Sequence, residues 1–334
     1  MSISNKVLII QTAFLGDAIL ISSLLEKIRL ESPDTSIHLL VRKGNESIFQ
    51  AYPHPNLTKV WAYDKKHKWA SWKVLQKDLK VENFDQVFVV QRFFGMGFLS
   101  LSIGAKKVVG FDKNPLSWFF TERVKHEWGT GKHETERNTA LLTSWLGPKV
   151  YKPFLSLPGD NNLPVQDYIC ISPGSVWETK RTPVRVWIDF IKLLPASQPV
   201  VLMGAPNEVH LAEEIEQACP ESKIVNEAGK HGLVDAIRIY QHSLMSFVND
   251  SGPMHICSAV DTPTVAVFCS TIPAFGFGPL ASLNRIVEVN NLECRPCGDH
   301  GKKSCPLGHY ACGNQITGNQ LFEVYKDLLA ARSK

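Results

Sequence analysis

Short, unbroken runs of apolar residues recur along the chain, separated by segments with helical periodicity. The runs read KVLIIQT, SIHLLV and QVFVVQ in the first half, and DYICIS, PVVLMG, SKIV, LMSFVN and PTVAVF in the second. Because they do not alternate with polar residues, they predict strands buried on both faces, as in parallel sheets covered by helices. Residues 17–30, 207–218 and 233–240 predict covering helices. The pattern predicts an α/β protein with two doubly wound domains, whose ligands lie at the carboxyl ends of strands.

A segment rich in proline, glycine and asparagine, GPKVYKPFLSLPGDNNLP, separates the halves and has the composition of a linker. We predict a first domain at 1–155 and a second at 165–317, which includes a four-cysteine segment at 294–312. Residues 318–334 predict a C-terminal helix that packs back toward the first domain. The two domains are expected to face each other across a central cleft.

Composition and charge narrow the class of protein. Of 334 residues, 44% are hydrophobic and 20% charged, which is typical of a soluble globular protein. The apolar start contains Gln11 and Asp17 and lacks a cleavage site, so we expect no secretory signal, a cytoplasmic location and reduced thiols. Residues 1–150 hold 21 Lys and Arg against 14 Asp and Glu. The scattered charges indicate an acidic substrate or an anionic membrane surface rather than nucleic acid.

Gly16 and Asp17 follow the first predicted strand, in FLGDAIL. One interpretation is a turn in which Gly16 supplies an unusual backbone angle and Asp17 caps the helix. The other is that Asp17 acts as a general base at a strand end. Neither a G-x-G-x-x-G fingerprint nor a Walker A loop is present, which disfavours nicotinamide and P-loop sites.

Two further motifs follow strands of the second half. In SPGSVWETKR, Gly174 and Ser175 can offer an amide and a hydroxyl to a phosphate, and Lys180 can add a charge. A solvated basic loop is the alternative for Lys180. In GAPNE, Glu208 either complements a helix dipole or accepts hydrogen bonds from a ribose.

The stretch FVNDSGPMHICSAV passes from a strand into a helix. Amides at Gly252, Met254 and His255, with the His255 ring as a further donor, predict an anion site at the helix start. Capping by Asp250 or Ser251 is the alternative, but it explains one polar residue rather than three.

Asp250 is also placed to accept hydrogen bonds from sugar hydroxyls, and Thr271, after the next strand, is expected to face the same pocket. A D-x-D triplet is absent from the sequence. We therefore expect helix amides and Lys180, rather than a metal ion, to balance phosphate charge, and no catalytic cofactor.

Four cysteines, Cys294, Cys297, Cys305 and Cys312, are spaced C-x2-C-x7-C-x6-C. In a reducing compartment this spacing predicts a structural thiolate site for zinc, or iron. Free thiols in a packed loop, or disulfides, are the alternatives.

Another run, DKKHKWASWKVL, interleaves lysines with Trp69 and Trp72. It is either a solvated helix face or an interfacial patch that meets anionic lipid.

Taken together, these motifs resemble the lipopolysaccharide heptosyltransferases of glycosyltransferase family 9. The resemblance rests on FLGDAIL, SPGSVWETKR, GAPNE and NDSGPMHICSAVDTPTVAVF, in that order along the chain. One departure is that KRTPVRVW replaces the family's Lys-Arg-Trp-Pro.

The resemblance implies a GT-B fold and inverting transfer of heptose from an ADP-activated donor to the lipopolysaccharide inner core. It also implies a peripheral membrane protein that acts at the inner face of the cytoplasmic membrane. It implies that Asp17 is the general base and that Lys180 stabilises the leaving diphosphate. It further implies donor binding by Glu208, Asp250, Ser251, Gly252, Met254 and His255, to which the strand-end positions of Ser175 and Thr271 add two expected donor residues. Transfer of another sugar, protein heptosylation, nucleotide-sugar epimerisation and a binding module without activity remain alternatives.

Overall fold

The computed structural model describes residues 5–159 and 163–332. Residues 1–4, 160–162 and 333–334, which fall in the predicted first domain, linker and C-terminal helix, lie outside this described part. The chain divides into two compact units, Met1–Leu155 and Ser156–Lys334. Each unit is built on a six-stranded parallel sheet, so the predicted α/β class with two doubly wound domains is confirmed.

The sheet of the first unit has the strand order β3-β2-β1-β4-β5-β6. Its strands are β1 (Lys6–Gln11), β2 (Ser36–Arg42), β3 (Leu57–Tyr63), β4 (Gln86–Val89), β5 (Lys107–Phe111) and β6 (Glu122–Val124). The helices are α1 (Leu15–Leu20), α2 (Ser22–Glu31), α3 (Glu46–Ala51), α4 (Lys68–Val81), α5 (Phe94–Ser102), α6 (Glu134–Ala140) and α7 (Thr143–Leu146).

Helices cover both faces of this sheet. Leu8 and Ile10 of β1 share one core with side chains of α4 and α5. Phe88 of β4 faces the other side, where its ring stacks on Trp145 of α7 at 5.8 Å between centroids. Burial on both faces explains why the central strands read as continuous apolar runs.

The second unit repeats the arrangement, with the strand order β12-β11-β10-β7-β8-β9. Its strands are β7 (Ile169–Ser172), β8 (Val200–Leu202), β9 (Ile224–Asn226), β10 (Met245–Asn249), β11 (Thr264–Phe268) and β12 (Asn284–Glu288). The helices are α8 (Val184–Leu193), α9 (Val209–Ala218), α10 (Leu233–His242), α11 (Gly252–Ala259), α12 (Ala311–Asn314) and α13 (Gly318–Arg332).

The C-terminal helix α13 contributes to the core of the second unit. Its buried side chains Leu321, Tyr325 and Leu328 lie there together with Trp187 and Phe190 of α8. Its predicted packing toward the first domain stays a prediction. Among the described helices, none is both long and apolar enough to cross a membrane.

Both sheets reverse their strand order at an equivalent place, between β1 and β4 in the first unit and between β7 and β10 in the second. Loops leaving two such neighbouring strands diverge to opposite faces of the sheet and open a crevice between them. Most of the predicted functional residues follow β1, β7 or β10, whereas Glu208 follows β8 and Thr271 follows β11.

Candidate functional site

Asn249, the last residue of β10, organises the crevice of the second unit. Its side chain is fully buried, and Nδ2 donates to the carbonyls of Pro173 (2.8 Å) and Gly174 (3.1 Å). Its Oδ1 accepts from the amide (3.0 Å) and the hydroxyl (2.7 Å) of Thr182. One buried carboxamide thus holds both ends of the loop that carries Ser175 and Lys180.

Lys180, Asp250 and Thr271 meet at the carboxyl ends of three different strands. Lys180 Nζ lies 2.7 Å from Asp250 Oδ2, and Thr271 Oγ1 donates to the same oxygen at 2.5 Å. Both charged side chains are mostly buried, so this ion pair is shielded from solvent. The structure therefore brings together three of the predicted site residues around one carboxylate oxygen.

Glu208 reaches the same crevice from the neighbouring strand β8. It ends a 3-10 turn, Pro206–Glu208, just before α9, rather than lying within the helix as predicted. Its Oε2 accepts from the Ala205 amide at 2.9 Å. A Cβ added to Gly174 would lie 2.2 Å from the Glu208 carboxyl carbon, so only glycine permits this close approach.

Ser175 is buried in the loop after β7, where its carbonyl accepts from Arg181 Nε at 2.8 Å. The hydrogen bond holds the Ser175 backbone against the turn that carries Lys180. It thereby fixes the two predicted phosphate-binding residues of this loop relative to each other.

The start of α11 contains the remaining predicted donor residues. Ser251 is its N-cap, and Gly252 is its first residue. Met254 is fully buried and its amide donates to the Ser251 carbonyl at 3.1 Å, so this amide is used within the turn instead of being free as predicted. The buried His255 ring meets Phe277 edge-on, with centroids 6.2 Å apart. Anion binding here remains a prediction.

In the first unit, Asp17 lies in the first turn of α1, whose N-cap is Phe14. It is therefore not the capping residue, and its charge is placed favourably for the helix dipole. At the sheet reversal beside it, Thr12 Oγ1 donates to Gln91 Oε1 at 2.7 Å, joining the ends of β1 and β4.

Two charged residues interact electrostatically with Asp17. Burial raises the pKa of Glu134, and the negative charge of Asp17 adds to this effect. Burial and the nearby Arg42 lower the pKa of Lys65, whereas Asp17 raises it. Glu134 itself accepts from Arg137 Nε at 2.8 Å, which orders the start of α6. The Asp17 carboxylate therefore interacts electrostatically with the Glu134 carboxyl group and with the Lys65 ammonium group.

The four cysteines are free of disulfides. Burial, with the nearby thiols of Cys297, Cys305 and Cys294, raises the pKa of Cys312 to about 11. Burial alone would raise the pKa of Cys305, but backbone amides that donate to its sulfur lower it instead. In the described chain, no three histidine, cysteine or acidic side chains are arranged to hold a metal ion. The predicted zinc or iron site is therefore unsupported by the described residues.

The cysteine segment, residues 294–312, instead packs on the loops that carry the site. Lys302 N donates to Thr179 Oγ1 at 2.8 Å, and Thr179 N donates to the Lys302 carbonyl at 3.1 Å. A Cβ on Gly301 would lie 2.3 Å from Trp177 Cβ and 2.9 Å from Lys180 Cγ. The turn before and including Lys180 is therefore held against the cysteine segment.

Arg295 ties the same segment to the loop of Thr271. Its Nη2 donates to the Thr271 carbonyl and its Nε to the Cys269 carbonyl, both at 2.7 Å. Its charge is balanced by Glu288, 2.5 Å away. Sequence reasoning missed Asn249, Gly301 and Arg295, and it found Gly174 only as a possible phosphate-binding amide, not as the residue that makes room for Glu208. The polar Asn249 at the end of an apolar strand is a signal of a buried hydrogen-bonding role.

The family model for glycosyltransferase family 9 (heptosyltransferase) matches residues 72–310. The chain is 30% identical to lipooligosaccharide heptosyltransferase 2 of Haemophilus influenzae, over 77% of this chain and 67% of that protein. It is 24% identical to lipooligosaccharide heptosyltransferase 2 of Campylobacter jejuni subsp. jejuni serotype O:6, over 97% of this chain and 99% of that protein.

Among solved structures, E. coli ADP-heptose lps heptosyltransferase II is similar, with a TM-score of 0.81 and 19% identity. The match covers 98% of this chain and 100% of that chain. The shared architecture, two Rossmann-like domains in one chain, is that of GT-B enzymes, which confirms the predicted fold. With most of its length matched by the family model, the chain belongs to glycosyltransferase family 9, the heptosyltransferases, and is a glycosyltransferase.

Proposed function

We propose that the protein transfers heptose from ADP-heptose to the lipopolysaccharide inner core, with inversion at the anomeric carbon. The observation that carries the proposal is the cluster of Lys180, Asp250 and Thr271 at the strand reversal of the second unit. It supplies a cation for a diphosphate and an acceptor for sugar hydroxyls at the edge where ligands of such sheets bind. Family membership supports the chemistry, the name of the Campylobacter jejuni relative supports a lipooligosaccharide acceptor, and the name of the similar E. coli structure supports ADP-heptose as donor.

In the proposed reaction, the acceptor hydroxyl oxygen forms a bond to the anomeric carbon as the bond from that carbon to the ADP oxygen breaks. Asp17 takes the hydroxyl proton, and ADP leaves with the electron pair of the broken bond. A positioned base contributes about a hundred- to ten-thousand-fold to such a step. Lys180 stabilises the negative charge that develops on the diphosphate, for which one preorganised donor is worth roughly a hundred- to a thousand-fold.

The other predicted donor residues take binding roles. Glu208, fixed by the Ala205 amide and closely packed on Gly174, is assigned to the ribose. Asp250 and Thr271 are assigned to the heptose hydroxyls. Ser175, Ser251, Gly252 and His255 are assigned to the phosphates, because they lie on the loop after β7 and at the start of α11. Met254, whose amide bonds to the Ser251 carbonyl, is assigned to holding that turn.

We further propose that the acceptor is met at the inner face of the cytoplasmic membrane. The acceptor class is amphiphilic and acidic, and the first 150 residues carry the excess of basic side chains. Cell fractionation tests this location. The protein should sediment with inner membranes and be released by high salt, and its recovery in the soluble fraction at low salt would contradict the proposal.

The transfer itself is tested by incubating the purified protein with ADP-heptose and lipopolysaccharide lacking core heptose. ADP release should require the acceptor, and the acceptor should gain the mass of one heptose. Conversion of the donor to an epimer without ADP release would identify an epimerase. Mass gained by a protein instead of the lipid would identify protein heptosylation, and UDP-glucose in place of ADP-heptose serves as the donor control.

A further inference from the structure

One outer side of the first unit exposes an unusual amount of aromatic surface. The helices α4 and α5 and the segment 114–120 cover the same face of the first sheet, because Leu75, Met96 and Phe120 share one core. Their outward sides carry Trp69, Phe94, Phe98, Trp118 and Phe119, all exposed, with Trp69 at 80% and Trp118 at 79%. Among the Phe, Tyr and Trp side chains in the described part of the second unit, only Trp177 is exposed, and its exposed fraction is 36%.

Part of this surface is a stack of three rings. The Trp72 ring stacks on Phe98 at 5.3 Å between centroids, and Phe98 stacks on Phe94 at 5.9 Å. Asn114 links the segment 114–120 to α5, because its Nδ2 donates to the Phe93 carbonyl at 3.0 Å. We call Trp69, Trp72, Phe94, Phe98, Trp118 and Phe119 the aromatic face.

Basic side chains border the aromatic face. Lys66, Lys68 and Lys73 are exposed beside Trp69 and Trp72 at the start of α4. The Arg123 guanidinium lies 3.9 Å from the centroid of the Trp118 ring. Exposed tryptophan and phenylalanine next to lysine and arginine match the chemistry of a bilayer interface, where rings enter the headgroup region and cations meet lipid phosphates.

We infer that the aromatic face docks the protein on the surface of an anionic phospholipid bilayer. Trp69 and Trp118 are the most exposed rings and enter the headgroup layer, while Lys66, Lys68 and Lys73 bind lipid phosphates. The inference specifies which surface of the protein makes the proposed membrane contact. It rests on the proposed function only in that membrane docking would bring the enzyme to its acceptor. Binding to lipid needs neither donor nor acceptor, so it can be measured separately from transfer.

The test is co-sedimentation of the full-length protein with vesicles of phosphatidylcholine alone or mixed with phosphatidylglycerol. The wild-type protein should bind the mixed vesicles and not the neutral ones, and added salt should weaken binding. The triple variant Trp69→Ser, Phe94→Ser, Trp118→Ser should lose binding by roughly tenfold or more. Each of Lys66→Gln, Lys68→Gln and Lys73→Gln should weaken binding by about fivefold at low salt.

The control pair Leu307→Ser and Leu329→Ser removes exposed apolar side chains of the second unit and should leave vesicle binding unchanged. All variants should keep the wild-type melting temperature and the wild-type transfer rate to a delipidated acceptor. Wild-type protein that stays unbound to mixed vesicles would overturn the inference, and so would unchanged binding of the triple variant. Dimers of the wild type that disappear in the triple variant, without vesicle binding, would identify the face as a protein interface instead.

Discussion

At the scale of single residues, the carboxylate of Asp250 holds the second unit's site together. It is shared between the Lys180 ammonium and the Thr271 hydroxyl, so each of these groups has a defined position before any donor binds. Preorganised charge of this kind costs no rearrangement when charge develops on the leaving group.

The proposed role of Asp17 leads to the first prediction. Asp17→Asn should lower turnover by about a hundred- to ten-thousand-fold, because the amide cannot take a proton, while ADP binding measured by calorimetry stays unchanged. Glu46→Gln is the matched control, since Glu46 is also in the first turn of a helix of the same unit. Near-normal turnover of the Asn variant would rule out Asp17 as the base.

Gly174 gives a second prediction at this scale. In Gly174→Ala the new methyl group must displace the Glu208 carboxylate, which it would meet at 2.2–2.4 Å. Because Glu208 is flexible at its end, the melting temperature should change little, whereas KM for the donor should rise roughly tenfold or more through loss of a charge-assisted hydrogen bond. Gly232→Ala, where a Cβ meets nothing within 4 Å, should leave KM unchanged. An unchanged KM in Gly174→Ala would remove Glu208 from the donor site.

The residues that could be predicted from sequence are those at strand ends. Lys180, Asp250 and Thr271 each follow an apolar run, and parallel strands bring such positions to one edge. The role of Asn249 could not be predicted, because Pro173, Gly174 and Thr182, to which it bonds, lie 67 to 76 residues away in the chain.

At the scale of elements, the cysteine segment packs against the loops that form the site. Its contacts with Thr179, Lys180 and Thr271 connect it to two of the three loops that form the site. The cysteine segment, whose spacing predicts a metal site, thus contributes to the position of Lys180, the predicted catalytic lysine.

Gly301→Ala tests this support. The added methyl group would lie 2.3 Å from Trp177 Cβ, an atom close to the backbone, so the turn carrying Lys180 must move. We expect kcat to fall by on the order of a hundredfold, since displacement by about an ångström has effects of that size. Gly278→Ala, whose Cβ would meet its nearest neighbour at 3.8 Å, is the control. Wild-type kcat in Gly301→Ala would show that the segment does not position Lys180.

Among the described central strands, only β5 (Lys107–Phe111) was not predicted, whereas among the edge strands only β9 was predicted. The edge strands β3, β6 and β12 are half-exposed and lack the continuous apolar runs of the central strands. The single helix predicted at 17–30 is divided at Ile21, where Ser22 and Ser23 donate their hydroxyls to the carbonyls of Ile19 and Leu20. Such side-chain bonds compete with the helical pattern, and periodicity does not reveal them.

At the scale of the whole molecule, the two units repeat one topology, but the first unit carries the exposed aromatic face and two buried histidines with lowered pKa values. Within the first unit, burial lowers the pKa of both His38 and His126 to about 4, from an ordinary value near 6.5. Glu82 opposes the shift of His38, whereas Arg92 and Arg137 add to that of His126. Both histidines are therefore neutral in the folded unit and take up protons on unfolding below about pH 6.5.

The free energy of unfolding of the first unit should therefore fall as the pH is lowered from about 6.5 to about 4, by on the order of a few kcal/mol. Above pH 6.5 the contribution of the two histidines is constant, because neither state is protonated there. Calorimetry of the wild type and of His126→Gln across this range measures the effect. The variant should lose less stability on acidification than the wild type, and equal losses would contradict this origin.

The ion pair of Lys180 with Asp250 has a consequence for inhibitor design. A compound that imitates only the diphosphate shares the Lys180 ammonium with the Asp250 carboxylate, and the repulsion between the two negative groups lowers its affinity. A compound that also presents a hydroxyl or an amine to Asp250 replaces that repulsion with a hydrogen bond, and nucleotide-sugar analogues should therefore outperform simple nucleotides.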